Sequence, residues 1–269
     1  MITRHPAVAG RFYPQDPARL AADVQSYLSP DENKIAALGC IVPHAGYVYS
    51  GHVAGAVFSR IEIPKHCIVI GPNHTGLGRP LSIMSEGSWD TPLGAVAIDS
   101  DLANALKREF SPLTEDAEAH YAEHAIEVIL PFLQIRQPEL VLIPITLGTR
   151  QFELLEALGA ALARVIADRQ EPILIIASSD MNHYENDEIT RIKDAKAIKQ
   201  ILALDAQGLF AVAEKENITM CGLGPAVVMI TAVKRLGGNA AELVRYATSA
   251  DISGDQEMVV GYAGVAAAG

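Results

Sequence analysis

Short, continuous apolar runs rich in β-branched residues recur along this chain of 269 residues and alternate with longer amphipathic stretches. Such runs are typical of strands that are buried on both faces, as in a parallel sheet covered by helices. The predicted strands are 38–42, 66–70, 140–145, 172–177 and 257–263. The alternation predicts an α/β fold with a central, mostly parallel or mixed sheet and helices on both faces.

The stretches between these runs have the composition of helices. The predicted helices are 17–28, 51–60, 101–109, 121–134, 151–168, 187–203 and 222–236. Gly237 follows the last of them, where a glycine commonly ends a helix. Residues 80–98 contain short runs broken by glycine and proline, which predict an excursion with a hairpin. No repeat, low-complexity linker or charge block divides the sequence, so we expect a single domain over 1–269.

The charge, the cysteine content and the apolar runs of the sequence disfavour several classes of protein. The formal net charge is -11, which disfavours binding to nucleic acid or to anionic lipid, since both need a basic face. The three cysteines are too few for a disulfide framework and favour a reducing compartment. The sequence shows neither an apolar run long enough to span a bilayer nor the apolar core of a signal peptide. We therefore expect a cytoplasmic protein.

Three histidines follow three of the predicted strands. His44 comes after CIVP, His74 after CIVIGPN, and His183 after ILIIASSDMN. In open α/β sheets, ligands bind in the crevice beyond the carboxyl ends of the strands. Histidine is the commonest protein ligand of transition metals. A single histidine in such a place is more often a structural hydrogen-bonding residue, but three at equivalent positions favour a metal site.

Two further residues, Cys221 and Asp180, are candidates for the same site. Cys221, in MCGLGP, precedes a predicted helix whose dipole is expected to lower the pKa of the thiol; the alternative is a small buried apolar residue. Asp180 lies near His183, and a carboxylate can set the tautomer of an imidazole and raise its basicity. His183 is therefore either a metal ligand or an acid/base group. In the second case the ligands are His44, His74 and Cys221.

The segment HYAEHAIEVILPFL carries a fourth polar cluster. On a helix, His124 and Glu127 are three residues apart and share a face. Such a pair can hydrogen-bond to metal ligands, or it can form an ordinary solvated face. We expect both residues at the wall of the pocket rather than as metal ligands.

The ordered motifs of the chain resemble those of the Memo family, known in bacteria and archaea as protein B of the AmmeMemoRadiSam system. These motifs are PAVAGRFYP, VPHAGYVYSG, IGPNH, DTPLG, EHAIE, SSDMNHY, MCGLGP and SGDQEMVVGYAG. The likeness extends from about Pro6 to Ala263. It implies a fold similar to the class III extradiol (protocatechuate 4,5-dioxygenase-like) enzymes, which bind non-haem Fe(II) through two histidines and a glutamate.

The resemblance also implies roles for individual residues. His44 and His74 match the two histidine ligands, and Cys221 takes the place of the glutamate. His183 matches the acid/base histidine of the dioxygenases, with Asp180 as a second catalytic residue beside it. Iron (Fe2+) is the implied metal, but a thiolate softens the ligand set, so that copper or zinc also fits.

Two positions of the family motifs concern the pocket around the metal. Tyr47, in the same motif as His44, is expected at the pocket wall. Leu223 stands where family members can carry arginine after the Cys-Gly pair, which puts an anion-binding role of that position in doubt.

Three functions follow from these features. The first is a metal-dependent oxidoreductase that uses O2 and an unknown small molecule. The second is an interaction protein that retains the metal-site fold, and the third is a zinc-dependent hydrolase. The family name further implies a functional link to a radical SAM protein and an AMMECR-type protein. Because the related dioxygenases often form multimers, a homo-oligomer is one expected state.

Overall fold

The computed structural model describes residues 2–30 and 34–269, which contain twelve strands and ten α-helices. The strands are β1 (Thr3–Arg4), β2 (Gly39–Val42), β3 (His66–Pro72), β4 (Leu81–Ile83), β5 (Ser88–Thr91), β6 (Gly94–Ile98), β7 (Thr114–Glu115), β8 (Val141–Leu147), β9 (Ile173–Ser178), β10 (His183–Glu185), β11 (Ala240–Thr248) and β12 (Val259–Ala268). The helices are α1 (Pro17–Tyr27), α2 (Tyr47–Arg60), α3 (Ser100–Glu109), α4 (Glu118–Tyr121), α5 (Leu130–Arg136), α6 (Phe152–Ala167), α7 (Asp187–Leu202), α8 (Ala206–Lys215), α9 (Leu223–Arg235) and α10 (Ala250–Ser253).

The sheet is parallel in its middle and contains antiparallel pairs towards its edges, which confirms the predicted mixed α/β architecture. Strands β6, β8, β3, β9 and β2 lie side by side and run parallel. Next to β2, β12 runs antiparallel and pairs with β10 and β11. At the other side, β5 and β6 form the antiparallel hairpin predicted within 80–98.

Alternate side chains of the central strands enter two separate hydrophobic cores. Ile41 and Ile68 point to the core that α3, α6, α8 and α9 cover, whereas Cys40 and Cys67 point to the core beneath α1, α2 and α5. All four side chains are fully buried. Because the strands are covered on both faces, their sequences are continuously apolar rather than alternating. The burial of Cys40 and Cys67 agrees with their interpretation as core residues.

The predicted helix over 121–134 is α-helical mainly in its last part, as the beginning of α5, because the chain turns before it. The carboxylate of Glu123 accepts the backbone N–H groups of His124 and Ala125 at 2.8 and 2.9 Å. Side-chain hydrogen bonds of this kind compete with the helical ladder. A short 3-10 turn, Glu127–Ile129, then leads into α5, which has a proline in its first turn. The other predicted helices are confirmed with shifted ends. The elements that were not predicted are α4, α8, α10, β1, β7, β10 and β11.

The carboxyl ends of three neighbouring parallel strands define the edge where the predicted site residues lie. β9 pairs with β2 on one side and with β3 on the other, so these strands end next to one another. His44 follows β2, His74 follows β3, and the segment 179–183 follows β9. None of the helices in the described residues has the length and apolar character needed to cross a membrane.

Candidate metal centre

One ligand atom from each of His44, His74 and Cys221 meets at this edge of the sheet. The three atoms all lie within 4.8 Å of one another, and Nε2 of His44 is 3.3 Å from Sγ of Cys221. A metal bound by nitrogen at about 2.1 Å and by sulfur at about 2.3 Å places its ligand atoms roughly 3–4 Å apart. These three side chains therefore fit a single ion with small adjustments of their side chains.

The hydrogen bonds of His44 leave its Nε2 atom free for a metal. The hydroxyl of Ser178 donates a hydrogen bond to the carbonyl of Ala125 at 2.6 Å. Its oxygen therefore accepts the hydrogen bond from Nδ1–H of His44 at 2.7 Å. Nε2 consequently carries the lone pair, and it faces Cys221. Burial, followed by the neighbouring His124 and His74, lowers the pKa of His44 well below its ordinary value. The imidazole is therefore neutral at pH 7, as a metal ligand has to be.

Glu123 orients His74 in the same way. Its carboxylate accepts Nδ1–H of His74 at 2.9 Å and also the backbone N–H groups of His74, His124 and Ala125. Burial raises the pKa of Glu123, but these hydrogen bonds outweigh it and lower the pKa to about 2. For His74, burial lowers the pKa, and the hydrogen bond and charge of Glu123 reverse this to a net increase. Such carboxylate–histidine pairs fix the ring of a metal ligand.

Cys221 lies directly before the N-cap of α9, and its thiol is hard to ionise without a metal. Desolvation by burial, and then the nearby carboxylate of Asp180, raise its pKa, while backbone hydrogen bonds lower it by less. Burial therefore outweighs the lowering of this pKa that was expected from the helix dipole, and that expectation is wrong. A divalent cation reverses the balance, since a coordinated thiol loses its proton.

His183 and Asp180 lie beside this group rather than in it. Nδ1 of His183 donates to the carbonyl of Thr219 at 3.0 Å, so the neutral ring has its lone pair on Nε2. Oδ1 of Asp180 accepts the backbone N–H of His44 at 2.9 Å. Burial raises the pKa of Asp180, and the surrounding histidines and the bond from His44 oppose this. The backbone N–H of Asp180 also donates to Sγ of Cys221 at 3.3 Å. Asp180 therefore contacts two of the ligand residues, and its charge raises the pKa of His74.

His124 lies within the cluster of histidines, and Phe12 packs against it. The His124 ring stacks on that of His74 with centroids 4.7 Å apart, and it meets the ring of His44 edge-on at 5.4 Å. Burial lowers the pKa of His124. Phe12 contacts the His124 ring at 4.8 Å and lines a cavity of about 680 Å³ between the N-terminal segment and α2. Phe12 thus lies between His124 and this cavity.

Tyr47 and Glu127 lie deeper than the sequence suggested. Tyr47 is 3% exposed and donates its hydroxyl to the carbonyl of Val128 at 2.8 Å, although it also lines the 680 Å³ cavity. Glu127 is fully buried and forms an ion pair with Arg4. It also accepts the hydroxyl of Tyr13 at 2.6 Å. Glu127 therefore holds the N-terminal segment in place, and its carboxylate makes no hydrogen bond to a histidine of the cluster.

Sequence reasoning missed Glu123 and Phe12. Glu123 was visible in the polar cluster, but the assumption of a continuous helix favoured His124 and Glu127 instead. Phe12 lies in the motif PAVAGRFYP, about 110 residues before His124 in the chain, and nothing in its local pattern indicates a contact with a histidine.

A second cavity, of about 530 Å³, is lined by Cys221 together with Arg150, Glu214 and Thr219.

Comparison with known proteins places the chain among related sequences. The family described as Memo-like protein matches residues 4–266. A MEMO1 family protein of Caldivirga maquilingensis is 40% identical and covers 99% of both chains. Another from Aquifex aeolicus is 42% identical, over 98% of this chain and 99% of its own. An uncharacterized protein of Escherichia coli K12 has a solved structure with a TM-score of 0.49 and 13% identity, covering 83% of this chain and 98% of its own.

The family match and the two relatives extend over nearly the whole chain, and the residues that meet at the sheet edge lie inside the matched region. The chain is a member of the Memo family.

Proposed function

We propose that this protein binds iron through His44, His74 and Cys221 and acts as a metal-dependent oxidoreductase on a small molecule. The observation that carries the proposal is the convergence of two imidazole nitrogens and a sulfur within 4.8 Å. Ser178 and Glu123 hold the two imidazoles with their Nδ1 atoms protonated, so that Nε2 is the atom left to bind a metal in each neutral ring. For His74, whose pKa is raised, metal binding displaces the proton from Nε2. Non-haem iron centres use two histidines and a carboxylate with open positions, and here Cys221 takes the place of the carboxylate.

An iron ion held there would supply redox chemistry with O2 and Lewis acidity towards the substrate. The protein leaves access to the centre, because the side chain of His74 is 34% exposed whereas His44 is almost fully buried. Cys221 lines the cavity of about 530 Å³, and the cavity of about 680 Å³ is lined by Phe12, which packs against His124. We infer that substrate enters through one of these cavities.

His183 supplies proton transfer in this proposal. Its Nδ1–H is bound to the carbonyl of Thr219, which leaves Nε2 as the atom that accepts a proton from a substrate hydroxyl and returns it later. Asp180, next to the ligands, favours positive charge on the surrounding imidazoles. His183 is therefore a catalytic residue, and Asp180 supports the charge balance of the site.

Zinc is the alternative metal, because two nitrogens, one sulfur and an open position also form a hydrolytic zinc site. The experiment is to purify the chain without a histidine tag under argon and to measure iron, copper and zinc by mass spectrometry. The same measurement is made on His44→Ala, His74→Ala and Cys221→Ser. Controls are His5→Ala, an exposed histidine, and Cys40→Ala, a buried cysteine away from the site.

The proposal expects iron in the wild-type protein and in both controls, with loss of the metal in each of the three ligand variants. Zinc in place of iron would favour the hydrolase. Iron that persists in all three ligand variants would contradict the proposed site. Oxygen uptake by the iron-loaded protein, screened with phenolic substrates and reductants, then tests the oxidoreductase; an interaction protein would show none.

A further inference from the structure

Asp194 is a buried carboxylate that lies outside the ligand group. It is on α7, and its side chain is fully enclosed. Among the described residues, no lysine, arginine or histidine forms an ion pair with it; Arg191, on the same helix, instead binds Asp187 and Asp251. Burial of a carboxylate without a cation is unfavourable. The hydrogen bonds that Asp194 accepts therefore have to offset the lost hydration.

Asp194 accepts one of these hydrogen bonds from the loop that precedes His183 and the other from β11. Its Oδ1 accepts the backbone N–H of Asn182 at 2.9 Å, and its Oδ2 accepts the hydroxyl of Tyr246 at 2.7 Å. Gly261 makes room for it, because a Cβ there would lie 1.8 Å from Oδ2. The N–H of Gly261 also donates to the carbonyl of Asn182 at 2.9 Å. Asn182 is thus held on both sides.

The side chain of Asn182 transmits this contact to Thr219. Its Oδ1 accepts the backbone N–H of Thr219 at 3.1 Å. Thr219 in turn binds His183 twice: its hydroxyl oxygen accepts the backbone N–H at 2.7 Å, and its carbonyl accepts Nδ1–H at 3.0 Å. Cys221 follows two residues after Thr219. A continuous path of hydrogen bonds therefore leads from Asp194 to His183 and to the segment of Cys221.

We propose that Asp194 is a positioning residue of the metal centre. Through Asn182 and Thr219 it holds His183 in the tautomer with a free Nε2, and it fixes the segment that carries Cys221. The part concerning Cys221 rests on the proposed metal function, whereas the part concerning His183 holds without a metal. One carboxylate thereby sets the placement of a proton carrier and of a ligand that come from distant parts of the sequence.

The test compares Asp194→Ala with Asp194→Asn in the full chain. Nitrogen NMR of the metal-free protein reports the tautomer of His183, and Co(II) titration reports affinity and the sulfur-to-cobalt charge-transfer band. We expect Asp194→Ala to give a mixture of tautomers and a Kd for Co(II) raised by about 10–100-fold. Asp194→Asn retains wild-type values for both, because its amide oxygen still accepts the N–H of Asn182.

Two further variants keep the test decisive. Asn182→Ala interrupts the same path next to the site, so it gives the result expected of Asp194→Ala even where that variant does not fold. Tyr246→Phe removes only the other hydrogen bond of Asp194 and leaves both readouts unchanged. The proposal is overturned when Asp194→Ala or Asn182→Ala lowers the melting temperature but keeps the wild-type tautomer and Kd. Failure of the wild-type chain to bind Co(II) contradicts the metal function alone and leaves the NMR result to decide on Asp194.

Discussion

Oε1 of Glu123 lies 2.9 Å from Nδ1 of His74, and the same carboxylate accepts three backbone N–H groups around it. Glu123 therefore shapes the turn that replaced the predicted helix and orients a proposed metal ligand at the same time. Because the carboxylate is 1% exposed and stays ionised, its effect on the imidazole is strong.

Replacing Glu123 by glutamine is expected to weaken metal binding. The amide keeps the shape but loses the charge that raises the pKa of His74, and one of its two polar atoms can no longer accept an N–H group. We predict a loss of about 10–100-fold in Co(II) affinity and a lower titration midpoint of His74 in NMR spectra of the metal-free protein. The matched control is Glu115→Gln, whose carboxylate binds Lys107 away from the site. Equal effects of both variants would contradict the role of Glu123.

Ser178→Ala tests the tautomer of His44. Without the hydroxyl, Nδ1–H of His44 loses its acceptor and the carbonyl of Ala125 loses its donor. The imidazole can then rotate or place its proton on Nε2, and we expect weaker Co(II) binding, by about tenfold or more. Ser59→Ala is the control, since Ser59 is equally buried but binds a carbonyl within α2. Unchanged affinity in Ser178→Ala would show that His44 does not need this contact.

The strand ends were predictable because apolar runs and the residues that follow them are local features. A histidine after each of three central strands is enough to place His44, His74 and His183 at one edge of a parallel sheet. The fold class follows from the same alternation. The sequence could not show that His44 and His74, but not His183, lie within ligand distance of Cys221. That distinction depends on how far each loop extends beyond its strand.

The supporting residues were harder to find, since their roles depend on contacts that are distant in sequence. Glu123 lies in a segment whose periodicity favours a helix, and only its own hydrogen bonds to the backbone make the turn. Asp194 lies on a helix rich in charged residues, where a carboxylate is normally solvated. Nothing in the sequence indicates that Gly261 makes room for it.

The buried ion pair of Arg4 and Glu127 is expected to stabilise the attachment of the N-terminal segment. Arg4 also donates to the carbonyls of His120 and Glu123 and lies over the ring of Trp89. Arg4→Met leaves the carboxylate of Glu127 buried without its cation, and we predict a loss of about 3–5 kcal/mol in the free energy of unfolding. Chemical denaturation measures this loss.

The exposed pair of Arg164 and Glu109 serves as the control for Arg4→Met. Its variant Arg164→Met should lose only about 0–1 kcal/mol, because water screens the pair. If Arg4→Met were no more destabilised than this control, the buried pair would not hold the segment.

The stability of the protein should depend on pH through Asp194. Burial raises its pKa from 3.8 to about 7, while Tyr246, the N–H of Asn182 and Arg191 oppose the shift and Glu185 adds to it. Between pH 4 and 7 the folded chain keeps a proton that the unfolded chain has released, so Asp194 makes the protein less stable as the pH rises, and this trend levels off above pH 7.

Urea denaturation of the wild type and Asp194→Asn at several pH values isolates this contribution, since the other titrating groups are common to both proteins. The free energy of unfolding of the variant should rise relative to that of the wild type from pH 4 to 7. A difference that stays constant with pH would mean that Asp194 ionises at an ordinary pKa.

X-ray absorption at the iron edge tests most directly whether His44, His74 and Cys221 share one ion. For protein loaded with Fe(II) under argon, we predict one sulfur neighbour at about 2.3 Å together with nitrogen or oxygen neighbours at about 2.0–2.2 Å. The sulfur neighbour should disappear in Cys221→Ser and persist in Cys40→Ala. A wild-type spectrum without sulfur, or one whose sulfur survives in Cys221→Ser, would contradict the shared site.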